Sequence, residues 1–381
     1  TLPQQAKTVK RADFVLKPYM MRDDLVAFWQ ILNTIIPLLV AAILFVKLSS
    51  AFTITSVLFV PLLFVFIVLF LSRSFCLMHD CGHLSLFKSN RSNRIAAFFL
   101  SIIHGIPHFP WSRGHAYHHK YNGNWDRYRG PCALATKNVY DNKSKRDKFL
   151  YIFLRHPLLL LPGGFYYLII KPRVSLFLGS VEFIYKLSKS FIGNVFSGRL
   201  LDFSKFFKNY HSSYFYVKEE FYDNAANTFC VMLLWFLVGS AIGHMHFWIL
   251  YSMIMSSSAA LLIAVFFIQH NFQGSYASNN EEWSYFKGAI EGSSFLQLPP
   301  ILNWFTADIA YHHIHHLSER IPNYRLRDCH NANAHLLNNV NPLYMRDIPA
   351  CFSLILWDSD NLELISTFDE VFGTQELCGE N

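Results

Sequence analysis

Long apolar stretches alternate with charged segments along this chain, and four of them approach the roughly 20 apolar residues that span a bilayer. They cover residues 30–47, 51–72, 226–243 and 247–268. Two short turns, Lys47-Leu48-Ser49-Ser50 and Gly243-His244-Met245-His246, separate the members of each pair. Because turns this short join neighbouring helices, the pattern predicts an all-α integral membrane protein with four transmembrane helices in two antiparallel hairpins.

Two further apolar stretches, 95–111 and 149–170, are interrupted by prolines and histidines and, in the second, by Gly163-Gly164. Since proline breaks the helical hydrogen-bond ladder, we expect interfacial or re-entrant helices here. Residues 180–225 interleave aromatic side chains with lysines. That mixture is typical of a surface helix on anionic lipid or of a solvated cap, and the sequence leaves both open.

Composition supports a membrane protein. Hydrophobic residues make up 52% of the chain, 37 residues are Phe, and the mean hydropathy is +0.22, so we expect one membrane domain over 1–381. The seven cysteines have no paired spacing, which predicts free thiols in a reducing compartment. No cleavable signal peptide is visible, so insertion is expected to rely on the internal segments.

The distribution of positive charge predicts the orientation. Of the 33 Lys and Arg residues, 22 lie in 73–225, five precede residue 30, five follow residue 268, and only Lys47 falls in an outer turn. The positive-inside rule predicts that the side of the membrane with most of these charges is cytoplasmic. The N-terminal segment 1–29 and a small appended tail, 345–381, are expected on the same side. The membrane would be the bacterial inner membrane, or the endoplasmic reticulum in a eukaryote.

Three tight histidine clusters lie on that side: His79-Asp80-Cys81-Gly82-His83, His115-Ala116-Tyr117-His118-His119 and His312-His313-Ile314-His315-His316. Imidazoles at i and i+4, or at i, i+3 and i+4, share one face of a helix. Imidazole suits iron, zinc, copper or nickel, and eight such residues exceed what one tetrahedral zinc can use. Two metals are therefore predicted, with His270 after the fourth span as a ninth ligand. The predicted ligands are His79, His83, His115, His118, His119, His270, His312, His315 and His316.

The other residues of the boxes, and the histidines outside them, give weaker evidence of a role at the metal site. His313 is rotated by about 100° from His312 and is expected to point away. Asp80 would orient a ligand imidazole or cap a helix, and Gly82 would allow a close helix approach. The remaining histidines are interpreted as hydrogen-bonded residues at the membrane edge: His104, His108, His156, His211, His244, His246, His330 and His335.

The three clusters resemble, in order and placement, the three histidine boxes of the membrane fatty-acid desaturases. The similarity covers roughly 70–335 and is greatest to the acyl-lipid Δ12 (ω-6) branch, particularly its bacterial members. It extends to Asn122-Gly123-Asn124-Trp125-Asp126-Arg127, Gln269-His270-Asn271, Glu281-Glu282-Trp283, Glu291-Gly292-Ser293-Ser294, Asn303-Trp304-Phe305-Thr306 and the stretch from His316 to Tyr324. The chain departs from the branch at Ala116-Tyr117 and in a longer, more aromatic segment around 175–225.

This resemblance implies a non-haem di-iron enzyme whose box histidines and His270 bind two iron ions. Dioxygen would be the co-substrate, and an acyl chain on a lipid, on coenzyme A or on a carrier protein would bend past the metals in an apolar tunnel. No flavin or dinucleotide fingerprint is present, so electrons would come from an external donor such as ferredoxin or cytochrome b5 docking on the basic surface. No nucleic-acid partner is expected.

Three alternatives remain open from the sequence. The first is a hydroxylase, acetylenase, ketolase or epoxygenase of the same superfamily, because the boxes set the reaction class and not the outcome. The second is a zinc membrane hydrolase that uses a metal-bound water. The third is a non-catalytic metal or lipid sensor that keeps the fold.

Overall fold

The computed structural model describes residues 9–50, 53–127, 134–198 and 200–367, and the chain is mostly helical. Its α-helices are α1 Asp24–Ser49, α2 Ile54–Gly82, α3 Asn90–His104, α4 His108–Tyr121, α5 Lys137–Asp141, α6 Lys145–Phe153, α7 Leu160–Phe165, α8 Lys171–Phe196, α9 Phe203–Asn209, α10 Lys218–Ile242, α11 His244–Ile268, α12 Tyr285–Ile290, α13 Pro300–Phe305, α14 His312–Leu317, α15 Asn323–Ala332 and α16 Ile348–Cys351. Its strands are β1 Ala135–Thr136, β2 Phe295–Gln297, β3 Pro342–Tyr344, β4 Leu354–Asp358 and β5 Glu363–Ser366.

Among the residues that the structure describes, four single helices are long and apolar enough to cross a membrane, and they lie where the four spans were predicted. They are α1, α2, α10 and α11. Helix α1 packs against α2, α10 packs against α11, and α11 also contacts α2. The Asp23 carboxylate caps α1 by accepting from the backbone N–H groups of Leu25 and Val26, and Thr53 and Ser56 form a capping box that starts α2.

Helix α2 does not end where its apolar stretch ends. It continues from residue 72 through the first histidine box, so its 29 residues are about 43 Å long against a hydrocarbon core of about 30 Å. Every residue from Leu71 to Cys81 is buried, whereas many side chains before Ile67 are exposed. The first box therefore lies in the buried C-terminal end of the same helix, beyond the apolar stretch that ends at residue 72.

The two interrupted apolar stretches are not straight spans. The first breaks at Gly105, where φ is +68° between α3 and α4, a left-handed conformation that glycine adopts readily. In the second, α6 and the continuous helical segment Pro157–Phe196 meet at a bend of 62°. Together they are long and apolar enough for one broken span or a re-entrant loop. Gly164 lets this segment approach α11, since a Cβ there would lie 2.7 Å from the Ala259 Cβ.

Two small sheets correct the all-α prediction. One has the strand order β1-β4-β5 and the other pairs β2 with β3 in parallel. All five residues of β4 are buried, and the Tyr151 hydroxyl donates to the Ile355 carbonyl at 2.6 Å. The strands of 354–366 thus pack against the rest of the protein and are not an appended tail, because the apolar run Leu354–Trp357 needs a partner surface. Residues 368–381 lie outside the described residues.

Five cysteines are free thiols, as predicted: Cys76, Cys81, Cys230, Cys329 and Cys351. Cys132 and Cys378 lie outside the described residues.

Candidate metal centre

Four helix ends meet at one place in the fold. Helices α2, α4 and α14 bring the three histidine boxes, and the turn after α11 brings His270. The nine predicted ligands fall into two groups whose nitrogen atoms lie within 4.8 Å of one another inside each group. The first group contains His79, His83, His115, His119 and His315, and the second contains His118, His270, His312 and His316. Each group could hold a metal ion.

The first group draws on all three boxes. The Nε2 atom of His115 lies 2.8 Å from that of His79 and 3.0 Å from that of His119. The Nε2 atom of His119 in turn lies 3.0 Å from that of His315. His83 lies beside them, with its ring centroid 4.6 Å from that of His119 and 5.0 Å from that of His315. Its own Nε2 is buried and has no hydrogen-bond partner among the described residues.

The second group is centred on His270. Its Nε2 atom lies 3.0 Å from that of His118 and 2.9 Å from that of His312. The Nε2 of His312 is 3.1 Å from that of His316. The rings of His119 and His316 stack with centroids 4.1 Å apart, so the two groups are direct neighbours.

Three acceptors fix the tautomers of the surrounding imidazoles. The Asp80 carboxylate accepts from Nδ1 of His79 at 3.1 Å, and the Glu319 carboxylate lies 3.3 Å from Nδ1 of His83. The Gly292 carbonyl accepts from Nδ1 of His270 at 2.9 Å. Because a carboxylate or carbonyl only accepts, the proton sits on Nδ1, and the Nε2 lone pair is left free for a metal.

Asp80 also fulfils its second predicted role, in a different helix from its own. Its other carboxylate oxygen accepts from the backbone N–H of Asn323 at 2.8 Å, at the start of α15. One side chain thus joins the first box to the segment that follows the third box. Gly82 allows the expected close approach, since a Cβ there would lie 2.5 Å from Oγ of Ser112 in α4.

Three consecutive side chains hold the turn after α11. The Gln269 amide donates to the Ile309 carbonyl at 2.9 Å, and the Asn271 amide donates to the Leu354 carbonyl at 3.2 Å. Between them, His270 donates to Gly292. The turn is therefore fixed to three separate segments, which aims the His270 ring at the second group.

Helix α14 is short, wholly buried and follows a strained turn. Ala307 and Asp308 have φ values of +48° and +54°, a left-handed region that side-chain-bearing residues seldom adopt. The Asp308 N–H donates to the Asn303 carbonyl at 2.9 Å, and the Asp308 carboxylate pairs with Arg327 at 3.2 Å. These contacts hold the turn, so that His312, His315 and His316 share the face that meets the other boxes.

His313 lies outside both groups, as its rotation on the helix predicted. Its Nε2 is 2.9 Å from Nδ1 of His330, and its ring packs against Phe295. Several of the other histidines also have structural partners: His104 contacts Ser74, His108 pairs with Asp223, and His246 contacts Ser49. His104 differs from the expectation in one respect, because it is fully buried and not at an edge.

Burial keeps the metal-facing imidazoles neutral. It lowers the pKa of His270 to about 4, although the bond to the Gly292 carbonyl opposes the shift. Burial and then the neighbouring histidines hold the pKa values of His115, His119 and His315 well below the usual range. Neutral imidazole is the form that binds metals, so the residues present fit a metal centre at neutral pH.

The sequence alone did not assign the residues that support the site. The Asn122 amide donates to the Gly288 carbonyl at 2.6 Å and lies 3.1 Å from Oγ of Ser293, and Trp283 donates to the Asn122 carbonyl. Gly288 is required there because a Cβ would collide with the Asn122 carbonyl oxygen. The sequence places Asn122, Glu319 and Gly292 in motifs near the boxes without assigning them a role. Nothing in the spacing of these motifs predicts their hydrogen-bond partners.

The comparisons with known proteins agree with this geometry. The fatty acid desaturase family model matches residues 52–347. A fatty acid desaturase of Bacillus subtilis (strain 168) is 30% identical over 303 residues, 78% of this chain and 74% of that protein. The chain belongs to the fatty acid desaturase family. The predicted enzyme class, a membrane enzyme that desaturates fatty acids, is thereby confirmed.

Two family members that are named for different double-bond positions are equally similar to the chain. The sn-1 oleoyl-lipid 12-desaturase of Picosynechococcus sp. is 24% identical over 263 residues, which cover 68% of this chain and 64% of that protein. The endoplasmic-reticulum omega-3 fatty acid desaturase of Nicotiana tabacum is also 24% identical, over 260 residues, 68% of this chain and 60% of that protein. The chain thus covers less than two thirds of these two relatives, and identity does not separate the positions of the double bond.

Proposed function

We propose that this chain is an oxygen-dependent acyl desaturase of the Δ12 (ω-6) type, with two iron ions held by the nine histidines. The observation that carries the proposal is the pair of neighbouring histidine groups. One contains five histidines and the other four, and together they include residues from all three boxes and His270. A single-metal site would leave one buried group of imidazole lone pairs without a cation, which is costly in a dry interior.

The number of imidazoles favours iron over zinc. Imidazole suits both metals, but a zinc site is usually bound by three or four protein ligands, fewer than the five histidines of the first group. The ligand number therefore argues against a zinc hydrolase.

The chain's own residues bind, orient and exclude water. The Nε2 atoms of the nine histidines would hold the irons, while Asp80, Glu319 and the Gly292 carbonyl keep three of these rings in place. Bound iron would supply dioxygen activation and hydrogen removal from an unactivated methylene. Overall, the acyl chain loses two hydrogens. These two hydrogens, together with two protons and two electrons from the donor, reduce one dioxygen to two waters.

The Δ12 position rests on the motifs shared with the acyl-lipid Δ12 branch, because identity to the named relatives does not separate the positions. The acyl chain could be carried by a lipid, by coenzyme A or by a carrier protein. The electron donor is proposed to be a ferredoxin or cytochrome b5, because an acidic donor would be attracted to the lysines and arginines of 73–225.

Lipid profiling tests reaction and position together. We expect expression in a host that makes oleoyl lipids but no polyunsaturated fatty acids to yield a new acyl chain two hydrogens lighter, with its second double bond at Δ12. Fragmentation of the derivatised product locates that bond. A product heavier by one oxygen would assign a hydroxylase instead, and oxygen-independent turnover with bound zinc would support the hydrolase. A variant of His315 provides the inactive control.

The topology proposal is two hairpins with the metal centre on the cytoplasmic side. Helices α10 and α11 pack together and are joined by Gly243 alone, so they are antiparallel and α10 begins on the side where α11 ends. His270, just after α11, shares a group with His118 of α4. Under this proposal the chain between α4 and α10 crosses the membrane an even number of times, so the bent segment 145–196 would not be a single fifth span.

Labelling of single cysteines in a background without native cysteines tests this topology. We expect Cys at Arg91 and Arg320 to react with a membrane-impermeant maleimide only after the cells are permeabilised. Cys at Ser50 and Met245, in the outer turns, should react in intact cells. All four positions are exposed, so access and not burial decides labelling. Reaction of Arg91→Cys and Arg320→Cys from opposite sides would overturn the arrangement.

A further inference from the structure

Helix α8 carries an apolar stripe, interrupted by Ser188, that the protein leaves exposed. Ten large apolar side chains along it are 38% to 88% exposed. They are Val174, Phe177, Leu178, Val181, Ile184, Tyr185, Phe191, Ile192, Val195 and Phe196. At 100° per residue they all fall within a sector of about 140°. An exposed apolar surface of this extent marks a binding face, and it argues against a solvated cap.

The opposite face of α8 is covered by protein. Phe183 packs against Phe206 of α9 with ring centroids 6.0 Å apart, and against Tyr210 at 5.2 Å. Gly179 is close to the Phe215 ring, which a Cβ would meet at 2.6 Å. Aromatic side chains of the protein therefore cover this face of α8, and the apolar stripe on the other face stays exposed.

Lysine lies at the border between the two faces. Lys189 is rotated by about 20° from the edge of the stripe, and Lys186 by about 80°. Lys186 is engaged, because its Nζ is 2.8 Å from a Glu182 carboxylate oxygen and donates to the His211 carbonyl. Lys189 forms no ion pair with any residue the structure describes. A long lysine at the rim of an apolar face can reach a phosphate headgroup while its stem stays in the apolar layer.

We propose that α8 is an in-plane membrane anchor that sits in the headgroup boundary of a leaflet rich in anionic phospholipid. Its stripe contacts the acyl layer, and Lys189 contacts headgroup phosphates. This proposal also accounts for the bent segment 145–196, because a re-entrant turn followed by an in-plane helix adds no membrane crossing. It does not depend on the reaction or on the metals.

Depth measurements distinguish an in-plane helix from a span. Single bimane-labelled cysteines replace Phe177, Ile184 and Phe191, seven residues apart on the stripe, in the full chain in lipid nanodiscs with brominated lipids. An in-plane α8 places all three labels at one depth, within a few ångströms. A spanning α8 would separate the first from the last by about 21 Å. Phe229 and Phe236 of α10, both exposed, provide the matched control, with an expected depth difference of about 10 Å.

A second arm tests the headgroup chemistry. At equal mole fraction, brominated phosphatidylglycerol should quench the Phe191 label more than brominated phosphatidylcholine does, with a local enrichment of about fivefold. Lys189→Gln should remove that enrichment, whereas Lys145→Gln, an exposed lysine of α6, should leave it intact. Equal quenching by both lipids, a depth gradient along the stripe, or labels shielded from all lipids by a second copy of the chain would each overturn the proposal.

Discussion

Replacing His119 with alanine is expected to abolish turnover and to lower bound iron from about two ions per chain to one or fewer. His119 is the residue that joins boxes two and three, since its Nε2 lies 3.0 Å from those of His115 and His315. Its ring also stacks on His316 of the other group. Losing a direct ligand should cost more than the 10–100-fold typical of outer residues. Metal analysis and turnover of the same purified preparation measure both effects.

His313→Ala is the matched control for that experiment. His313 is as buried as His312 and His315, and it lies with them in α14. It contacts His330, however, and belongs to neither histidine group. The variant should keep its iron, and any loss of stability should appear as a lower unfolding temperature. If His119→Ala retained both iron and turnover, or if His313→Ala lost as much iron, the two-metal assignment would be wrong.

The residue pattern predicted the long apolar helices and the clustering of the histidines because both depend on local spacing. A run of about 20 apolar residues has few alternatives to a membrane helix. Imidazoles at i, i+3 and i+4 share a helix face whatever the rest of the fold does. The same rule predicted that His313 would point away from the group. His270 required one further step, its place just after the fourth span, and the structure puts it at the centre of the second group.

The features that the sequence missed depend on distant partners. Glu319 reaches His83 and Asn122 reaches Gly288, contacts between residues more than 150 positions apart. Strand β4 was hidden for a related reason, because its short apolar run is stable only beside β1 and the turn after α11. Helix α2 runs beyond its apolar stretch because no glycine or proline lies between residue 72 and Gly82, and the polar residues there are buried against the other boxes.

Asp80→Asn is expected to weaken iron binding or lower activity by about 10–100-fold. The carboxylate accepts two hydrogen bonds, from Nδ1 of His79 and from the backbone N–H of Asn323. An asparagine can offer its oxygen to only one of them. If its NH₂ group faces His79, the ring proton moves to Nε2 and the lone pair for the metal is lost. If it faces Asn323 instead, two donors oppose each other at the start of α15.

Chelator competition measures the iron affinity, and thermal unfolding reports separately on the contact with α15. The comparison is Glu319→Gln. Glu319 accepts from His83 in the same way, but its side chain is 44% exposed, so water can replace the carboxylate and we expect less than about a tenfold effect. A lower unfolding temperature with unchanged iron affinity would make Asp80 a purely structural link. Equal losses in the two variants would mean that charge near the first group matters more than the orientation of the His79 ring.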